Sequence, residues 1–474
     1  MDDAANKMLH GLLDREKFNK LSHDQLYDIF VLLLRRNDEL TRRVESLEKR
    51  LNQNSGNSSK PPSTDQPGSR KSSHEPTGKN PGGQPGHKAN FRTPIAKDRV
   101  DEFIAVIPDH CGHCKKPLRG KDSEPRTDQK IELPPMRARV TEYELHALTC
   151  RHCGKTTRGK LPEGVSKGLL GPHLLATIGQ LTGGYHLSKR QVQALLLDFF
   201  GLDLCLGSIT KSEKAVSQAL QSPVEEARTF VEKQVVGNAD ETGWVEGRKL
   251  AWLWVLSTKS VSVFKVHAHR GKEGMKAALG SFYGILGTDR WQTYNDYCGY
   301  RQICWAHLIR DFEEFRQSRG RPGAVGKKMH GLAQQLFKSW HKVQAGKLSR
   351  KAFAQRIVPP MRRKLMRLLH RGLKYPAMRG ACHRILKLEP FLWTFVEISG
   401  VEPTNNAAER ALRPAVLWRK GSFGTHSPQG SRFAERMLTV TTTLRQQKRN
   451  VLDFLTKACA AKLGRSTTPS LLSV

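Results

Sequence analysis

Leucine recurs every seventh residue near the start of the chain, at Leu26, Leu33, Leu40 and Leu47, with Phe30, Asn37, Val44 and Leu51 between them. On a helix these positions form one seam, the leucines at d and the others at a, which predicts a coiled coil over residues 20–52. Leu at d with a mostly apolar a position suits a two-stranded zipper, and the lone Asn37 fixes register at some cost in stability. The same stripe would serve an amphipathic helix packed on its own domain. The periodicity then stops. From Asn52 to Asn90 the text is Ser, Pro, Gly and Lys with almost no large apolar residue. Such a segment buries too little to order itself, so residues 53–95 read as a flexible basic linker.

Helical text returns over 165–230. "LSKRQVQALLLDFFG" should stop at Gly201, and "GSITKSEKAVSQAL" should begin with Ser208 as its N-cap. Two helices with a short break make either a helix-turn-helix, offering Thr210, Lys211 and Lys214 to DNA, or an ordinary helical hairpin. After Val235 the pattern becomes that of strands: "KQVVGNAD" ending at Asp240, then "LAWLWVLS" and "SVSVFKVHAH". A helix over "KEGMKAALG" leads to a fourth strand, "YGILGTD", ending at Asp289, and "RQICWAH" reads as a fifth. A three-strand meander followed by parallel crossovers predicts a mixed sheet flanked by helices, its first part spanning 231–305. A basic, mostly helical stretch over 306–400, including "MRRKLMRLLHRGLK", reads as an insertion that holds DNA, or more plainly as a solvated helical face. The core resumes over 401–460.

Charge changes the picture. The chain of 474 residues carries 79 Lys and Arg against 44 Asp and Glu, a net charge of +35. Solubility does not require that excess; it favours a polyanion, because each neutralised phosphate releases condensed counterions. No apolar run approaches the roughly 18–20 residues of a membrane span, so no membrane partner is expected. The opening MDDAANK is acidic where a secretory signal is basic.

Four of the nine cysteines stand as Cys111-Gly-His-Cys114 and Cys150-Arg-His-Cys153. Two such turns present four thiolates, the set for structural Zn2+ in a zinc ribbon over 100–160. His113 and His152 lie inside the turns and read as solvent or phosphate contacts rather than ligands.

The carboxylates raise a sharper question. Asp240 and Glu241 close an apolar run, and a carboxylate at the end of a buried strand needs either a Lys or Arg or a divalent cation. If the first and fourth strands are neighbours, Asp240 and Asp289 emerge side by side, which suits hard cations held by oxygen. A third carboxylate should come from a helix. Glu409 in "PTNNAAERALRP" fits, capped by Thr404 or Asn405, with Arg413 one turn on. Glu241 should point to the other face of its strand as a structural acid, and Asp296 should lie at the surface. Glu435 is the rival third ligand but should pair with Arg432 or Arg436. Cys304 and His307 form a C-x-x-H whose further ligands the sequence does not supply. Cys304 reads as a core residue, and His307 as an active-site neighbour. Arg419, Lys420, Arg432 and Arg436 are expected at phosphate.

"DETGW", "TDRWQTY", "CWAHLIRDF", "NNAAERALRP" and "RKGSFGTHSPQGSRFAERMLTVTTTLRQQKRNVLDFL" resemble the transposase of the insertion sequence 66 family. "NSGNSSKPPSTD" and "GGQPGHK" resemble its linker, and the zipper and four-cysteine segment its amino-terminal modules. The likeness covers roughly residues 20 to 460. It implies a multidomain α+β protein: an N-terminal coiled coil, a zinc ribbon, a helical DNA-binding region, and an RNase H-like α/β catalytic core of the DDE type with a helical insertion. The triad carries over as Asp240, Asp289 and Glu409, holding two Mg2+ or Mn2+. Many members read Asp-Gly-Tyr where this chain has Asp289-Arg290-Trp291. The implied reaction is cleavage at the element's ends, then attack of the freed 3′-hydroxyl on target DNA. The implied partners are end and target DNA, a second copy through the zipper, and small accessory proteins of the same element, in the bacterial cytoplasm at the nucleoid. A nuclease or resolvase without strand transfer, and an inactive DNA-binding regulator, are the alternatives.

Overall fold

The computed structural model describes residues 19–51, 53–54, 57, 93–163, 165 and 168–472, so nearly all of the linker expected at 53–95 lies outside the described residues. Among the described residues, no helix is long and apolar enough to cross a membrane. The chain forms two compact units, one of Met1–Ser69, Lys160–Lys189 and Gly207–Val474, the other of Arg70–Gly159 and Arg190–Leu206.

The heptad segment is one helix, α1 (His23–Leu51). Its seam faces outward: Leu33, Leu40 and Leu47 are 47%, 51% and 50% exposed. The second unit contains a hairpin of β1 (Ala147–Thr149) and β2 (Thr156–Arg158). In the first unit, α2 (Pro172–Gly179) begins with Pro at its first position, where a missing N–H costs nothing. In the second unit, which begins again at Arg190, α3 (Lys189–Phe200) ends as expected at Gly201, whose φ of 64° suits a residue without Cβ. The next helix, α4 (Leu206–Ala219), starts two residues before the expected cap. Ser208 therefore lies inside the first turn and its carbonyl accepts Ser212 Oγ at 2.8 Å. Ile209, in that turn, is buried. α5 (Gln221–Glu232) leads into the sheet.

Five strands follow: β3 (Val236–Glu246), β4 (Lys249–Ser257), β5 (Ser262–His267), and, after α6 (Lys272–Leu279), β6 (Ile285–Thr288) and β7 (Arg301–Ile303). Their order is β5-β4-β3-β6-β7. β3, β4 and β5 form an antiparallel meander, while β6 and β7 run parallel to β3 and to each other. This is the mixed sheet that the hydropathy pattern predicts. One expectation fails: β3 does not end at Asp240 but continues six residues to Glu246. Antiparallel pairing with β4, from Asn238↔Ser257 to Glu246↔Lys249, satisfies the backbone of these polar residues.

Two apolar cores meet the sheet. In the first, α11 (Asn406–Ser422) packs on β3 and β4, and α12 (Pro428–Gln446) on β5, with α13 (Val451–Lys462) behind them. The second unites Ile285 and Ile303 with α7 (Trp305–Arg316), α8 (Gly320–Gln344), α9 (Val358–Gly372) and α10 (Pro376–Lys387). Past β7 the segment leading to Glu409 is thus mostly helical, with a core that takes in Ile285 and Ile303 of the sheet. On α9 the apolar side is buried at Met361, Leu365 and Leu369, while Arg363, Lys364, Arg367 and Arg371 are exposed.

Candidate active site

The parallel ladder between β3 and β6 ends at Asn238↔Gly287. Asp240 and Asp289 each lie two residues further, so both leave the ladder at one register and on one side of the strands. A Cβ at Gly287 would collide with Asn238 Oδ1, so the Asn238 side chain lies in the space the glycine leaves open. The turn after β6 orients the second carboxylate, with Trp291 N–H donating to Asp289 Oδ1 at 2.8 Å. Asp240 Oδ1 accepts the Glu241 N–H at 2.9 Å.

Glu409 comes from the first turn of α11, where its N–H reaches the carbonyl of Asn405 at 3.2 Å. Asn405 occupies the N-cap position but makes no side-chain cap bond. Its Nδ2 instead donates to Ala239 O at 2.9 Å, and its backbone N–H to Cys304 Sγ at 3.2 Å. One buried residue therefore ties the start of the Glu409 helix to the residue before Asp240 and to the start of α7. The repeated asparagine in "NNAAER" signals a cap but not this long-range bond.

The charges of Asp289 and Glu409 are both felt at Asp240, although the oxygens of the three acids do not all lie within 4.8 Å of one another. Burial holds the Asp240 carboxyl well above the usual carboxylate range, and the charges of Glu241, Asp289 and Glu409 push the same way. Burial also raises Asp289, opposed by the Trp291 N–H and by Arg270, Arg290 and Arg301. Glu409 Oε1 is buried and has no hydrogen-bond partner. His307 Nδ1 lies 3.9 Å from it, and Arg310 Nη2 lies 4.0 Å from Oε2. Burial, aided by Arg310 and Arg290, lowers the His307 imidazole to about 3, so it is neutral at physiological pH. Sequence reading missed Arg310, although it sits one helical turn after His307 on the same face.

Glu241 is a buried acid with partners of its own. Its side chain is 1% exposed, ion-pairs with Arg270 at 3.0 Å and accepts Tyr294 Oη at 2.6 Å. Arg270 is in turn stacked between Trp252 and Trp291, at 4.7 and 4.0 Å from the ring centroids. Arg290 pairs with Asp311. The two residues that depart from Asp-Gly-Tyr are thus both engaged beside Asp289. Asp296 is a surface acid 3.8 Å from Lys272.

Other assignments change. Glu435 pairs with neither Arg432 nor Arg436: it accepts the Val266 N–H at 2.7 Å and faces Lys265 at 3.3 Å, because α12 lies on β5. Arg436, expected at phosphate, donates to Ser217 O at 2.7 Å and is half-buried. Arg419 donates to Gly243 O at 2.8 Å. Arg413, Lys420, Arg432 and Lys211 are exposed.

The thiol turns form separately. Lys115 N–H bonds Cys111 O at 3.0 Å and Cys111 N–H bonds Lys116 O at 2.9 Å; Gly154 with Cys150, and Cys150 with Lys155, repeat the pattern at 2.9 Å each. Lys115 and Gly154 share a positive φ, 60° and 69°. Backbone N–H groups lower the Cys111 and Cys150 thiols, which favours the thiolates a zinc ion takes. The four sulfurs are not gathered into one shell, however. Among the described residues, Cys304, His307 and Glu409 are the only set of three or more potential ligands whose atoms lie within 4.8 Å of one another.

Residues 167–433 match the model of the transposase IS66 family, 108–154 that of the zinc-finger binding domain of transposase IS66, and 15–93 that of a family of unknown function, DUF6444. Two Sinorhizobium fredii proteins are similar in sequence. Uncharacterized protein y4hP is 25% identical over 76% of this chain and 71% of its own length. Uncharacterized protein y4qI is 24% identical over 76% and 72%.

Proposed function

Since the chain belongs to the IS66 family of transposases, we propose that it cuts DNA at the ends of an insertion sequence and joins the freed strand to target DNA. The observation that supports this reading is the shared register of Asp240 and Asp289 beyond the β3–β6 ladder, together with the Asn405 bond that ties the start of the Glu409 helix to β3 at Ala239. The sheet order, an antiparallel meander followed by two parallel strands, supports an RNase H-like core of the DDE type.

Asp240, Asp289 and Glu409 would hold Mg2+ or Mn2+. The donor set fits: all are oxygens, they repel one another, and Glu409 Oε1 is buried without a partner. A bound metal pair activates an attacking oxygen and stabilises a leaving one. The chain itself positions the acids. Trp291 N–H fixes Asp289, Asn405 fixes the helix of Glu409, and Glu241 holds Arg270 against two tryptophans at the rim. Arg290, Arg301 and Arg310 supply positive potential beside the acids, where a scissile phosphate would be drawn in.

Cys111, Cys114, Cys150 and Cys153 would hold structural Zn2+, in keeping with the zinc-finger match over 108–154. Arg413, Lys420, Arg432, Lys211 and the exposed arginines of α9 are the proposed backbone contacts to DNA. The exposed seam of α1 is the proposed surface for a second copy. The test is a reaction of purified protein with end DNA, target DNA and magnesium. Joined products support the reading, cleavage without joining reduces it to a nuclease, and binding alone to a regulator.

A further inference from the structure

The three side chains that meet at 4.8 Å or less are chemically unlike the oxygen-only triad. Cys304 precedes α7 and is fully buried, His307 lies in the first turn of that helix, and Glu409 comes from the first turn of α11. His307 Nδ1 and Glu409 Oε1 are both buried without hydrogen-bond partners. Their separation of 3.9 Å is too long for a hydrogen bond. It is close to the about 3.3–3.7 Å between two ligands placed tetrahedrally at zinc's bond lengths. Cys304 Sγ receives the Asn405 N–H at 3.2 Å, so the sulfur is fixed in place at the start of α7; burial keeps it a thiol in the absence of a cation.

We propose that Cys304, His307 and Glu409 form a second transition-metal site, separate from the four-cysteine turns, that takes Zn2+ or a cation of the same class. Thiolate, imidazole and carboxylate are a donor set that selects such a cation over magnesium. Binding releases the Cys304 thiol proton to solvent, and the thiolate and carboxylate charges then balance the two charges of the ion. Three protein ligands leave the fourth tetrahedral position to water.

The site shares Glu409 with the triad. Resting on the proposed catalytic role of Glu409, zinc at this site withdraws that carboxylate from Asp240 and Asp289 and so restrains the enzyme. Cys304 and His307 would then act as a zinc-dependent brake rather than as participants in cleavage.

The experiment uses the full chain under reducing conditions, with Zn2+ content measured after dialysis and Co2+ uptake followed by the thiolate charge-transfer absorption. Wild type should bind one equivalent beyond that lost in Cys150→Ser. Cys304→Ser and His307→Asn should each lose that further equivalent while keeping the other. Retention of full stoichiometry by both variants overturns the site, as does a wild type whose entire zinc content disappears in Cys150→Ser. In the cleavage reaction with magnesium in excess, added Zn2+ should suppress wild type but not Cys304→Ser, and removing the zinc with a chelator should restore wild type. Further zinc bound with no suppression overturns the brake. If Glu409→Gln still cleaves while wild type binds the further zinc ion, the catalytic reading fails and the metal site stands.

Discussion

Asn405 Nδ2 donates to Ala239 O at 2.9 Å, joining the helix that carries Glu409 to the strand that carries Asp240 across 166 residues of sequence. The bond is buried, so its loss leaves an unpaired carbonyl beside the acids. Asn405→Ala should cost about 1–3 kcal/mol in stability. It should also lower cleavage more than it lowers DNA affinity, since the acids are displaced while the basic surface is not. Equal losses in both would contradict a positioning role.

The acids repel one another when no cation lies between them, so deleting one charge should stabilise the metal-free protein. The folded-state pKa of Asp240 is raised above its unfolded value. Its contribution is therefore favourable at low pH and is lost as pH rises from the unfolded pKa through the folded one. Asp240→Asn, measured in chelator at neutral pH, should raise Tm by a few degrees, at roughly 2–4 °C per kcal/mol for a domain of this size. Magnesium should raise the Tm of wild type and not of the variant. A lowered Tm in chelator would contradict the account.

His186 gives the opposite sign. Its ring stacks on Trp418 at 4.9 Å, and burial and Arg445 lower it to about 4 from 6.5. A folded pKa below the unfolded one gives stability that is present above pH 6.5 and is lost as pH falls toward 4. In urea titrations across that range, His186→Phe should lose stability less steeply than wild type. The φ of 62° at this position strains both proteins at every pH, so the slope is the readout. Parallel slopes would contradict the assignment.

The seam of α1 predicts self-association. Leu33 and Leu40 are about half exposed in a single chain, and pairing with a second copy would bury them. Leu33→Ala with Leu40→Ala removes two d side chains, at about 2–5 kcal/mol each by core precedent. A dimer should become largely monomeric by light scattering while the unit that carries the five-stranded sheet stays folded. An unchanged mass at low concentration would contradict pairing through this helix.

What could be read in advance follows from what a sequence encodes locally. The strands, their meander and the position of Asp289 just past β6 follow from short apolar runs bounded by turns. Gly201 was legible as a helix stop because its positive φ is a local requirement. The true extent of β3 was not, since Glu241 and Thr242 look like loop until β4 supplies their backbone partners. Nor were the partners of Glu435 and Arg436, which lie 169 and 219 residues away and are set by how α12 packs. Glu409 as the third member of the Cys304–His307 group was hidden for the same reason: α7 and α11 meet only in the fold.

The central claim is that Glu409, rather than Glu435, completes the acid group with Asp240 and Asp289. Its most direct test is magnesium-dependent strand cleavage of end DNA by Glu409→Gln and Glu435→Gln, each normalised to DNA binding. Glu435 faces Lys265 and the Val266 N–H on β5, so Glu435→Gln should cleave within a few-fold of wild type. Glu409→Gln should lose cleavage on the order of 10²–10³-fold, the scale of removing one preorganised electrostatic contact, while still binding DNA. An active Glu409→Gln beside an inactive Glu435→Gln would contradict the claim.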